Sequence, residues 1–330
     1  MSSSPNSAAS AETDATPWLA HVPVGLFAVV MGVGGLAAAW RLAGEVLGLP
    51  GWIGETFAVV ATLAFLAIAG LYARKTITRF QDVKQEFLHP VRSSFFGAIT
   101  VSLMILAGLA MPYSTTLALP LWVLGAVGHM ALTVVLANRW INTEQNFTML
   151  SPAWFIPAVG NVIVPVTGVP LGMVELSWFS FSAGILFWVV LFAVVLHRIL
   201  FHNPLPERLL PTMLILVAPP AIGAVAYSKL IGADPDSILH ILVHGALFLG
   251  LINLANLRRF LALPFFVSWW AYTFPLDALA LAVMTLGHLT GSSGLLLLGG
   301  VLLGVATLVV SLVALRTVQA LIKGSLFQPE

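Results

Sequence analysis

Residues 295–315 read LLLLGGVLLGVATLVVSLVAL, twenty-one positions without a charge. About 20 apolar residues is the length that crosses a bilayer as a helix. Outward from this stretch, similar ones lie at 22–40, 57–73, 95–111, 119–138, 154–170, 176–200, 210–230, 238–256 and 267–288, ten in all. The whole chain agrees: 59% of its 330 residues are hydrophobic, 8% are charged and the mean hydropathy is +1.00. A water-soluble chain carries about 25% charge, so the fold class is an all-α integral membrane protein. The fifth span is the weakest, interrupted by Pro157, Pro165 and Pro170. Residues 1–17 read as a disordered polar tail without the basic segment of a cleaved signal. The membrane domain then covers 18–319, and 320–330 form a second tail.

Basic residues set the orientation, because loops rich in Lys and Arg stay in the cytoplasm. Twelve of the 14 follow even-numbered spans, and only Arg41 and Lys229 follow odd ones. Both tails are therefore expected in the cytoplasm, and the protein in the cell's inner (plasma) membrane. Net charge is +1 without a basic run, which leaves nucleic-acid binding unsupported. With no cysteine, disulfides and thiolate metal sites are excluded. No spacing of His, Asp or Glu resembles a metal site, and no nucleophile elbow, phosphate loop or carboxylate pair supports an enzyme. No cofactor is expected.

Proline supplies an internal repeat. Odd spans open near Pro23, Pro90, Pro152, Pro211 and Pro264, each interval about one helical hairpin long. Several carry prolines inside as well (Pro157, Pro219 with Pro220, Pro275), whereas even spans are expected to lack them. Proline removes a backbone hydrogen bond and bends a helix, and in lipid the freed carbonyls need neighbouring helices or a wet cavity. The alternation predicts five hairpins, with bent members inside around a central passage and straighter members facing lipid.

Four sequence pieces resemble the tellurite-resistance/dicarboxylate transporter family, which includes bacterial TehA proteins, fungal malate permeases and the slow anion channels of plant guard cells. They are Pro23-Val-Gly-Leu-Phe27 with Gly32, His89-Pro-Val-Arg92 followed by Phe95-Phe96, Ala218-Pro-Pro-Ala221, and Trp269-Trp-Ala-Tyr-Thr-Phe-Pro275. The resemblance runs from about Pro23 to the tenth span. It implies a quasi-fivefold ring of hairpins, a pore through each protomer and a homotrimer. It also implies that a phenylalanine of the ninth helix occludes the pore, a position that falls on Phe274, while Gly32 gives the ring room.

An aromatic ring across a narrow apolar passage blocks ions by excluding water. Pro275 and Asn161 are further candidates for the pore lining. Phe95 is another, with Phe96 as the alternative, and Arg92 stands at the cytoplasmic mouth. With no ring of cations at membrane depth, weakly hydrated anions are the expected cargo. Asp277 is the exception in an apolar helix. Three residues after Phe274, it is expected near the same passage, as a proton or gating carboxylate or as a hydrogen-bond partner of Asn161 or a histidine. The family carries a small or neutral residue there. Two readings result: an anion channel closed by Phe274, and a proton-linked carrier of C4-dicarboxylates or other organic anions with Asp277 as proton acceptor.

Overall fold

The structure, a computed structural model, describes residues 17–232 and 234–328. The expectation for residues 1–17 lies outside them, except that Pro17 opens a 3-10 turn, Pro17–His21. Among the described residues nine helices are long and apolar enough to cross a membrane, and a shorter apolar one covers Pro152–Gly168. That shorter piece is the proline-interrupted fifth span of the sequence reading.

The helices pair as five hairpins. The first joins α1 (Phe27–Leu47) to α2 (Gly51–Thr78), and a surface helix α3 (Phe80–Leu88) follows. The second joins α4 (Gly97–Ala110) to α5 (Thr115–Asn142). In the third, two short helices, α6 (Phe155–Val159) and α7 (Val164–Gly168), pack on α8 (Val174–Phe201). The fourth joins α9 (Ala218–Ile231) to α10 (Ser237–Ala255), with a short α11 (Leu257–Leu261) after it. The fifth joins α12 (Thr273–Leu289) to α13 (Ser293–Ile322), which extends past residue 319.

The first members close a ring: α1 packs on α4, α4 on α7, α7 on α9, α9 on α12 and α12 on α1. Burial separates the two sets. In the inner long helices 61–89% of the membrane window is buried, and in the outer ones 17–33%. Outer faces such as Leu297, Leu308, Leu186 and Ile241 stay exposed, as an apolar solvent allows.

Each inner member begins as a 3-10 helix before it becomes an α-helix: Val24–Leu26, Arg92–Phe96, Pro152–Trp154, Glu207–Val217 and Val267–Tyr272. Runs of 3-10 helix longer than three or four residues are uncommon, and Glu207–Val217 is eleven residues long. In three of the five, proline marks the change of pitch. Pro219 and Pro220 lie in the first turn of α9, Pro275 in that of α12 and Pro157 in that of α6. First-turn N–H groups have no partner within the helix, so proline costs little there. The expected mid-helix kinks are therefore starts of α-helix. Nor are the even spans free of proline, because Pro120 lies inside α5, whose first residue is Thr115. It sits near the amino-terminal end, where the missing donor disturbs few bonds.

The end that carries the turns between the two members of each hairpin is pinned by polar contacts. Arg41 forks onto Glu55 through Nε and Nη2, both at 2.8 Å, and its Nη1 donates to the Leu109 carbonyl. The Tyr113 hydroxyl also donates to Glu55. In the fourth hairpin Asp236 caps α10, accepting from the Leu239 N–H at 2.9 Å and from the Tyr227 hydroxyl at 2.5 Å. The tyrosine bond first, then the backbone N–H groups, hold the Asp236 carboxyl below its ordinary value of 3.8. A group depressed in this way adds stability above its unfolded pKa and loses it as pH falls through the folded one. Asp236→Ala is expected to lower the Tm at neutral pH, with the gap to the parent protein closing below pH 3.8. A thermal-unfolding series against pH checks this.

Candidate functional site

At the end where the described residues begin and finish, the ring opens into a vestibule of about 930 Å³. Its walls come from four of the 3-10 starts, from the α turns that follow them and from α2 and α3. A 3-10 helix has three residues per turn, so residues three apart stand in one straight column. Arg92 and Phe95 form such a column in the second hairpin, and Ser268, Ala271 and Phe274 form one in the fifth; all five border the vestibule. Phe274 is half-buried and sits where the 3-10 pitch ends.

Several expected residues are brought together here. Phe274, Pro275, Phe95 and Arg92 all line the vestibule, with Arg92 exposed at its rim. The choice between Phe95 and Phe96 is settled by aromatic packing. Phe96 points outward, edge-on to Phe87 at 5.0 Å and to Tyr72 at 6.2 Å, which leaves Phe95 to face in beside Gly25.

Three others stand elsewhere. Gly32 faces Thr273: a Cβ added there would lie 2.7 Å from Thr273 Cβ and 3.3 Å from Trp270 Cε3. The glycine beneath the Phe274 ring is Gly35, where an added Cβ would lie 3.1 Å from Phe274 Cδ2. Asn161 turns outward to α5, donating to Thr133 Oγ1 at 2.8 Å and to the Ala158 carbonyl at 3.2 Å. Asp277 is fully buried against Gly35 and does not border the vestibule. Beyond Phe274 the α pitch takes over, and three residues there turn the side chain about 60° away from the column. Among the described residues neither Asp277 oxygen has a hydrogen-bond partner, so the expected bond to Asn161 or a histidine is not made. His129, also fully buried, instead pairs through Nδ1 with Thr100 Oγ1 at 2.7 Å.

Two residues that no motif in the sequence marks are part of the wall. Lys75 and Glu86 are 2% and 5% exposed, pair at 2.8 Å and both border the vestibule. A signal existed in α3, where Val83 and Glu86, three apart, form its buried face. No pattern in the sequence joins that face to Lys75.

Five hairpins whose inner members close a ring, with a vestibule bordered by Phe274 at one end, make this a multi-pass membrane protein. The family described as voltage-dependent anion channel (SLAC1) matches residues 21–318, and the chain belongs to it. Among its relatives are the S-type anion channels SLAH3 and SLAH2 of Arabidopsis thaliana, both 29% identical, over 312 and 322 residues. These matches cover 92% and 94% of this chain but 49% and 62% of the plant proteins, so the chain spans about half to three-fifths of their length. The tellurite resistance protein TehA homolog of Haemophilus influenzae is 24% identical over 316 residues, 93% of each chain.

Proposed function

We propose that the chain is an anion channel in which each protomer carries its own passage, closed by the Phe274 ring. The observation that carries this reading is the seat of that ring. It ends the column that lines the vestibule, against a glycine that leaves no side chain in its way. The names of the relatives, S-type anion channels and a tellurite resistance homolog, support anions as the cargo. The largely apolar wall offers little to replace a hydration shell, so weakly hydrated anions pass most easily. In this reading the protein is a homotrimer in the inner membrane with both termini in the cytoplasm, as the distribution of Lys and Arg supports.

A second reading has one observation of its own. Asp277 is buried one turn past Phe274, with neither oxygen hydrogen-bonded among the described residues, which suits a residue that takes up and releases a proton in a proton-linked carrier of organic anions. Reconstitution in proteoliposomes separates the two. A channel dissipates an anion gradient whether or not a pH gradient is present, whereas a carrier accumulates anions at the expense of the proton gradient. For the carrier, Asp277→Asn is expected to abolish proton-driven accumulation and leave anion exchange intact. Accumulation that survives the substitution removes Asp277 from that role.

A further inference from the structure

We propose that Lys75 and Glu86 form a compensated charge pair in the vestibule wall that sets how tightly an anion is held on its way to Phe274. Lys75 is the attracting group and Glu86 attenuates it. The inference rests on the conduction reading above and adds to it the residues that set the hold on the ion.

The pair is built from three elements. Lys75 comes from the last turn of α2, and Glu86 from the buried face of α3. Lys75 Nζ also donates to the Val22 carbonyl at 2.6 Å, and Glu86 Oε1 accepts the Val24 N–H at 2.7 Å. The two side chains therefore grip the backbone on either side of Pro23, where the first inner member begins. Glu86 Oε2, the atom bound to Lys75, also accepts the Tyr72 hydroxyl at 3.0 Å.

Gripping the backbone does not require charge. A hydroxyl and an amide could satisfy the Val22 carbonyl and the Val24 N–H at a lower desolvation cost than two buried ions. Charge in a low-dielectric wall acts on a passing ion with little screening. An unpaired lysine would draw anions and hold them, yet conduction needs a site that attracts and then releases. Glu86 and the Tyr72 hydroxyl supply that release: the carboxylate cancels most of the lysine's field, and the hydroxyl fixes the carboxylate.

The test uses the full chain carrying Phe274→Ala, so that current flows, in planar bilayers over a chloride concentration series and under asymmetric KCl. Glu86→Gln is expected to lower the half-saturating chloride concentration about three- to tenfold, the range for one unit charge roughly 8–10 Å away at intermediate dielectric. Its maximal current falls as well. Lys75→Gln is expected to raise half-saturation by a similar factor and to move the reversal potential toward that of potassium. Glu86→Asp retains both charges but draws the carboxylate back by one methylene, and serves where the glutamine variant does not fold; it is expected to lower half-saturation about twofold. Folded glutamine variants with unchanged half-saturation and reversal potential overturn the proposal. So do shifts of the same sign in both, which loss of the Pro23 grip alone would give, and so does an unshifted Glu86→Asp. If the Phe274→Ala background carries no current, the conduction reading fails first and this proposal with it.

Discussion

Phe274→Ala is expected to raise the anion current of the reconstituted protein on the order of a hundredfold, as a barrier lowered by about 2.7 kcal/mol would give. Truncation removes a ring that borders the vestibule, and on the channel reading this lets water and ions past that point. The permeability sequence is expected to follow ease of dehydration, with iodide and nitrate ahead of chloride. The ring is only half-buried and faces the vestibule, so its loss costs the fold less than the roughly 3–5 kcal/mol of a fully buried phenylalanine. Single-channel recording with a thermal-unfolding control checks both parts. A folded alanine variant with no more current than the parent protein would show that the passage is closed elsewhere.

The second large effect separates two neighbouring glycines. At Gly35 a new Cβ lies 3.1 Å from the Phe274 ring and 2.9 Å from Asp277 Oδ2, so Gly35→Val pushes on the ring directly. It is expected to raise current well above the parent level, though less than Phe274→Ala, at a stability cost of about 1–3 kcal/mol from overpacking. At Gly32 the same addition meets Thr273 first, with its Cβ at 2.7 Å and its Oγ1 closer still. Gly32→Ala is expected to lower the Tm by a comparable free energy with no rise in current. Parallel currents and melting curves of the two variants decide the matter, and equal currents would show that contact with Gly35 does not hold the ring.

Hydropathy made the spans legible, because lipid tolerates long uncharged runs and few other environments do. Proline helped to separate the inner members from the outer ones: it opens each inner member and lies at the change of pitch in three of them. The fifth span was faint for the same reason: its prolines divide it into pieces too short to register as one apolar run. Contacts between elements were the hidden part. The choice between Gly32 and Gly35 depends on how α1 is rotated against α12, which no residue type reveals. Asp277 was expected in the passage by α-helical spacing from Phe274, but the lining column keeps 3-10 spacing and ends at the ring. Lys75 and Glu86 stayed hidden because a lysine at a helix end is fully explained by topology, and nothing in a sequence says that such a residue is buried.

The junction between the two helical pitches has a mechanical consequence. A 3-10 helix advances about 2.0 Å and turns about 120° per residue, an α-helix about 1.5 Å and 100°. Each residue that passes from one form to the other rotates the rest of the helix by about 20° and shortens it by about 0.5 Å. Phe274 stands one residue beyond such a junction. Rewinding three residues below it swings the ring about 60° around the helix axis, with no change of rotamer and a lift of only about 1.5 Å. The inner members thus have the geometry of screws of adjustable lead, in which force applied at the vestibule end would reach the ring as rotation.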